Sequence, residues 1–157
     1  MVKQILNRFG CNLNSSLDCP MCNSDVESVD HLFLHCRWAA QVWSCCMAWW
    51  EVSWCANKSL LEWANGWSGL CPNFSQERAW KSLFFAAVWT VWDSRNQVVF
   101  KDKKVEVAEA VDMARSRVVW WFKHLGKGTS DSVTSLLQDV SQRCSVSTAP
   151  RIVKRVV

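Results

Sequence analysis

The chain contains 157 residues, of which 50% are hydrophobic and 20% are charged. This balance provides enough apolar material for a folded domain and excludes an extensively disordered protein. Only 5 glycines and 3 prolines are present, which argues against a turn-rich all-β protein.

The sequence also carries no strong signal for a membrane or for secretion. The longest nearly apolar run, residues 83–92, is too short to cross a bilayer. The first eight residues lack the apolar core of a secretory signal. We therefore expect an intracellular, reducing environment and no membrane partner.

The first half of the chain contains two capping boxes, in which a serine and a glutamate three residues later bond each other's backbone amides. The box at 24–27 predicts a helix from about residue 25, a break near Cys36 and a second helix to about Trp50. The box at 59–62 predicts a short helix that Gly66 ends. The stretch 66–75, with its glycines, proline and asparagine, is typical of a linker.

The second half predicts two long helices and a shorter one. Hydrophobic spacing indicates a helix over 75–100, followed by a polar break at 101–104. From Val107 to Leu125 apolar residues alternate in steps of four and three, which is an a/d seam of nearly three heptads. Because this seam is short for an independent coiled coil, we expect the two long helices to pack as an antiparallel pair. The shorter helix is predicted to begin at Asp131, with four apolar residues inward: Val133, Leu136, Leu137 and Val140.

The net charge of +4 is unevenly placed along the chain. Residues 145–157 hold three basic residues and no acid, and they lack periodicity, so we expect a disordered basic tail. A second basic run lies between Asp112 and Asp131 and comprises Arg115, Arg117, Lys123 and Lys127. We interpret this run as a solvated helix face, with phosphate contacts to RNA or DNA as the alternative.

The nine cysteines fall into two groups. An odd number without a secretory signal argues against a disulfide framework and favours metal binding or burial. Three of them, with one histidine, form the pattern Cys-x2-Cys-x8-His-x4-Cys, whose first pair is Cys19 and Cys22. Zinc requires four such nitrogen or sulfur ligands. The other six are expected to pack as small hydrophobes: Cys11, Cys45, Cys46, Cys55, Cys71 and Cys144.

Two residues could complete this zinc site together with His31. Cys36 lies five residues after His31, and on an uninterrupted α-helix the two would point about 140° apart. Cys36 can therefore be a ligand only if the helix breaks. His35 lies four residues after His31, on the same helix face, and would give a site of two cysteines and two histidines without a break. Spacing alone does not decide between them.

The segment resembles the zinc-binding domain that follows the reverse transcriptase of plant non-LTR (LINE-type) retrotransposons. The resemblance rests on Cys-Pro-Met-Cys at 19–22, on the stretch 27–36 with its His31 and Cys36, and on a tryptophan-rich stretch at 80–100 that contains Arg-Asn and Val-Phe. It implies a zinc site made by Cys19, Cys22, His31 and Cys36, which favours Cys36 over His35. The family usually has proline directly after that cysteine, where this chain has Arg37.

The resemblance implies a function without catalysis. The chain contains no tyrosine, so the polymerase motif Tyr-x-Asp-Asp is absent, and the scattered acids form no paired-carboxylate cluster for phosphoryl transfer. We expect a zinc-binding module of a retrotransposon reverse transcriptase polyprotein that assists the binding of RNA, DNA or the polymerase domain. The alternatives are a structural or protein-interaction helical module, or a transposon relic without function. No small-molecule substrate is expected.

The expected fold is mainly α, with a small zinc-knuckle-like loop, whose ligands are three cysteines and one histidine, leading into a tryptophan-rich helical domain. Residues 1–74 would hold the zinc-binding loop and its helices. Residues 75–144 would hold the helical hairpin and the short helix, packed as one domain with the first part, and 145–157 the tail.

Overall fold

The computed structural model describes residues 17–56, 58–72 and 77–125, with side chains through Trp121. These ranges form a π-helical turn at His31–His35, helix α1 at Arg37–Ala48, helix α2 at Leu60–Gly66, a 3₁₀ turn at Trp67–Leu70, helix α3 at Glu77–Lys101 and helix α4 at Val107–Leu125. The mainly α prediction is confirmed. Across the described ranges no strand forms, and a single antiparallel β-bridge joins Asp18 to Val26. The predictions for 1–16, for the helix from Asp131 and for the tail lie outside these ranges.

Helices α3 and α4 form the predicted antiparallel pair. The connection between them is short, and Arg117 of α4 reaches back to Asp93 and Thr90 near the middle of α3. The centre of the predicted seam, Val111 and Ala114, is buried. The apolar periodicity of both segments therefore identified residues that the fold buries.

The first helical turn begins later than the capping box predicts, so that prediction is wrong. The Ser24 hydroxyl donates to the carbonyl of Cys22 over 2.9 Å instead of capping a helix. Glu27 is fully buried and does not turn back toward the Ser24 amide. The residue that caps the turn is Ser28, whose hydroxyl accepts from the backbone N–H of His31 over 3.0 Å.

The helix predicted from the second box is confirmed, and the serine half of the box forms at the start of α2, where the Ser59 hydroxyl accepts from the backbone N–H of Glu62 over 3.2 Å. The adjacent Leu60 N–H donates to the Asp30 carboxylate over 2.8 Å, which ties this helix to the cysteine-rich segment. The linker predicted after Gly66 is only partly correct. Its first residues form the 3₁₀ turn, and Trp67 is buried within the core.

The core behind the cysteine-rich segment is built largely from tryptophan. The indoles of Trp67 and Trp80 stack with ring centroids 4.4 Å apart, and each N–H donates to the other residue's carbonyl, over 2.8 and 2.7 Å. Trp43 packs against Trp67 and donates to the carbonyl of Phe33 over 2.7 Å. Large indoles are easier to bury when their N–H groups find acceptors. This core fixes the position of α1, and hence of the residues just before it.

None of the helices in the described part of the chain combines the length and the apolar character that a bilayer crossing requires.

Candidate metal centre

The first ligand pair lies on a tight turn. The backbone N–H of Asn23 donates to the carbonyl of Cys19 over 2.8 Å, and the N–H of Cys19 donates to the carbonyl of Asp25 over 2.7 Å. Asn23 has a φ of 51°, in the left-handed region that asparagine tolerates better than most residues. This turn places the thiols of Cys19 and Cys22 near each other and toward the protein interior.

The second pair is positioned by the π-helical turn. The backbone N–H of Cys36 donates to the carbonyl of His31 over 2.6 Å, five residues back rather than four. This wider turn contains one more residue than an α-helical turn, so Cys36 returns to the side of His31. Cys36 itself is extended, with φ −60° and ψ 125°, and α1 begins at the next residue. The predicted break near Cys36 is therefore present.

Arg37 stands at the position where the resembled family usually has proline. It is the first residue of α1, and its Nη2 donates to the carbonyl of Cys22 over 3.3 Å. The chain thus stops the preceding turn without proline. The Arg37 side chain instead connects the start of α1 to the Cys-x-x-Cys turn.

The four predicted ligand residues converge. The Sγ atoms of Cys19, Cys22 and Cys36 and a ring nitrogen of His31 all lie within 4.8 Å of one another. The Sγ atoms of Cys19 and Cys36 are 4.0 Å apart, and the Sγ of Cys22 is 3.3 Å from the Nε2 of His31. Tetrahedral zinc with Zn–S bonds of about 2.3 Å places two sulfurs about 3.8 Å apart. The donor set and its spacing therefore fit one zinc ion.

The four ligand residues are mostly buried. The three cysteines are between 0% and 6% exposed, and His31 is 9% exposed. All three thiols are free of disulfide bonds. The cluster is therefore largely shielded from solvent.

Two of the thiols differ in their affinity for protons. The hydrogen bond from the Cys19 thiol lowers the pKa of Cys36 in spite of burial, and the backbone N–H groups of Ala39 and Trp38 lower it further. The same bond, together with burial, raises the pKa of Cys19. In the metal-free protein Cys36 is thus the thiol of this pair that is prepared to become the thiolate that zinc requires.

A carboxylate at the predicted start of the first helix lies beside the histidine. The Oδ2 atom of Asp25 is 3.9 Å from Nδ1 of His31, while Nε2 of the same ring faces Cys22. At 3.9 Å this contact is longer than a hydrogen bond, and the Asp25 side chain is 70% exposed, so it places a negative charge near the ring without fixing the ring's orientation. No local pattern predicts this placement, because an aspartate after serine is equally typical of a helix start.

His35, the alternative fourth ligand, is not part of the cluster. It is exposed, and its Nε2 lies 3.4 Å from the carbonyl of Lys58. The wider turn that brings Cys36 toward His31 carries His35 away from it.

The basic run is engaged within the protein wherever its side chains are described. The Arg115 guanidinium lies 4.7 Å from the ring centroid of Trp49 and 3.6 Å from the Asp112 carboxylate. Arg117 pairs with Asp93 over 3.0 Å. The side chain of Lys123 and the whole of Lys127 lie outside the described part of the chain. Phosphate contact by these four residues stays a prediction.

Of the six cysteines without ligand spacing, four are described. Cys46 is buried, and Cys45 and Cys71 are half-buried, as expected for packing residues. Cys55 is exposed, so the expectation fails there. Cys11 and Cys144 lie outside the described ranges.

Comparison with known proteins agrees with the geometry. Residues 1–43 match the family model described as zinc-binding in reverse transcriptase, a family defined by zinc binding and not by catalysis. No curated protein and no solved structure matches the chain significantly. The matched segment contains all four converging residues. Residues 1–43 are therefore similar to the zinc-binding domain found in reverse transcriptase, and this similarity together with the cluster of three cysteines and one histidine supports zinc as the cofactor.

Proposed function

We propose that Cys19, Cys22, His31 and Cys36 bind one structural zinc ion in a non-catalytic module of a LINE-type retrotransposon reverse transcriptase polyprotein. The observation that carries the proposal is the convergence of four buried donor atoms within 4.8 Å. Four protein ligands fill a tetrahedral zinc shell, whereas catalytic zinc sites keep one position open for water or substrate. The ion would hold the N-terminal turn against the tryptophan core.

Zinc content and thermal stability test the structural site. Elemental analysis of the purified full-length chain should give one zinc per molecule. Removal of zinc by a chelator should lower the melting temperature, because metal binding contributes to the free energy of folding. Readdition of zinc should restore it. A zinc-free protein with an unchanged melting temperature would contradict the proposal.

We further propose that the chain binds single-stranded RNA, and the support for this is the charge of the basic run between Asp112 and Asp131. Residues 17–36 contain no lysine or arginine, so the cysteine-rich loop itself offers no side-chain cation to phosphate. Arg115 and Arg117 already face carboxylates. We therefore propose that Lys123 and Lys127 make the phosphate contacts with single-stranded RNA.

The salt dependence of the RNA affinity measures the number of phosphate contacts. Two phosphate contacts to a single strand predict a slope of about −1.4 for log K against log salt. In gel-shift titrations, replacement of both lysines by glutamine should weaken binding and remove most of that slope. The matched control, Lys103→Gln, removes a cation paired with Glu109 and should have little effect. Binding that ignores salt, or no binding at about 100 μM, would exclude this role.

A further inference from the structure

An apolar groove runs along the outer side of α3. Its volume is about 630 Å³, and it is lined mainly by aromatic and aliphatic side chains, among them Phe33, Phe85, Trp89, Trp92 and Trp121. Two of these are large and open to solvent: Phe85 is 63% exposed and Trp89 is 55% exposed. Contiguous exposed aromatic surface of this kind marks an interaction or ligand-binding site.

The charges around the groove favour a protein segment over a nucleic acid. Lys81 is the one cationic residue among those that line it, and its Nζ is 2.6 Å from the Glu77 carboxylate. A single-stranded nucleic acid needs unpaired cations beside its stacking aromatics. The described residues that line the groove supply aromatic rings but no unpaired cation.

The position of the groove points to a segment of the same chain. Helix α4 ends at Leu125, one turn after Trp121, which lines the groove. The next five residues, 126–130, include two glycines and span up to about 17 Å when extended. This length is enough for the chain to reverse and return along α3.

The residues that follow have the pattern required to fill an apolar groove. Between 131 and 144 the apolar residues Val133, Leu136, Leu137 and Val140 recur at the spacing of one helix face. As a helix these 14 residues would be about 21 Å long. The groove follows α3 from Lys81 to Trp92, about 17 Å of helix.

We propose that residues 131–144 form an amphipathic helix that occupies this groove with its apolar face. The segment completes a three-helix layer with α3 and α4 and covers Phe85 and Trp89. This role is independent of zinc and of nucleic acid.

Hydrogen exchange on the full-length chain tests the proposal. Amides of 131–144 should exchange at least about tenfold more slowly than in an unstructured peptide. Trp89→Asp in the groove and Leu136→Asp in the segment should each remove this protection. Two matched controls should retain it. Phe100→Asp changes an exposed aromatic outside the groove, and Ser135→Asp changes the polar face of the segment.

Three results would overturn the proposal. One is the absence of protection in the unaltered chain, and another is protection that Trp89→Asp leaves unchanged. The third is protection that appears only with a dimer in sedimentation velocity, since a second copy would then fill the groove. Circular dichroism of each variant identifies a general loss of folding. If Trp89→Asp unfolds the protein, Leu136→Asp measured against Ser135→Asp decides the question.

Discussion

Arg95 donates two parallel hydrogen bonds to the carboxylate of Glu27, from Nε to Oε1 over 2.9 Å and from Nη2 to Oε2 over 3.2 Å. Both side chains are almost completely buried, at 3% and 0% exposure. This bidentate pair joins the segment between the two ligand pairs to the C-terminal half of α3. The position of the cysteine-rich loop on the helical domain therefore depends on a charge pair as well as on apolar packing.

Removal of one partner of this pair should be strongly destabilising. Arg95→Met or Glu27→Leu leaves the other charge buried and unpaired, and we expect a loss of about 3–5 kcal/mol in the free energy of unfolding. The double variant should recover most of the loss, because no isolated charge remains. Glu77→Gln, which breaks an exposed pair with Lys81, should cost at most about 0.5 kcal/mol. Denaturant unfolding measures all four, and a double variant as unstable as the singles would contradict this account.

The fourth ligand can be identified with two adjacent substitutions. Cys36→Ser removes a sulfur of the cluster and should abolish zinc binding at stoichiometric concentrations. His35→Ala removes an exposed ring outside the cluster and should leave zinc affinity unchanged. Titration with zinc in competition with a coloured chelator measures both. The opposite order of effects would show that His35 is the ligand.

The thiols of the metal-free protein should ionise in a defined order. Cys36 has a lowered pKa because Cys19 donates a hydrogen bond to it, and Cys19 has a raised pKa for the same reason. As pH rises, Cys36 should therefore lose its proton before an ordinary thiol and Cys19 after one. The stabilisation that the Cys36 thiolate gives the metal-free fold is present above the unfolded pKa and is lost as pH falls through the lowered folded value.

Ultraviolet absorbance of thiolates follows this titration. The first rise in thiolate absorbance, at the lowest pH, belongs to Cys36 and should disappear in Cys36→Ser. It should persist in Cys19→Ser, since a serine hydroxyl can still donate to the Cys36 sulfur. Equal titration curves for the two variants would be inconsistent with the proposed bond.

The reciprocal tryptophan pair should resist even a conservative change. Trp67→Phe preserves an aromatic ring but removes the N–H that bonds the Trp80 carbonyl, and we expect a cost of about 1–3 kcal/mol. Trp120→Phe makes the same chemical change at a half-exposed position outside the groove and should cost less than about 0.5 kcal/mol. Thermal or denaturant unfolding compares the two. Similar costs would mean that ring size, and not the hydrogen bond, matters at Trp67.

The sequence contained most of the information about the helices and about the ligand spacing. Periodicity identified α3 and α4 because their buried faces repeat along one continuous segment, as Val111 and Ala114 illustrate. The Glu27–Arg95 pair could not be predicted, since its partners are far apart in sequence and Glu27 fitted a local capping pattern equally well. Trp67 was placed in a linker because Gly66 and Gly69 flank it, whereas burial of its indole overrides those local signals. Spacing left the fourth ligand open, because the choice depends on the kind of turn between residues 31 and 36.

That turn has a consequence for the length of the loop. Its hydrogen bond from Cys36 to the His31 carbonyl spans five residues, so the turn can be described as an α-helical turn with one inserted residue. Deletion of one residue between the two ligands would leave a regular helix in which histidine and cysteine are four apart and again share a face. Two loop lengths are thus compatible with the same arrangement of ligands, one with a regular turn and one with a wide turn. A zinc site of this design can therefore tolerate a one-residue change in the length of this turn.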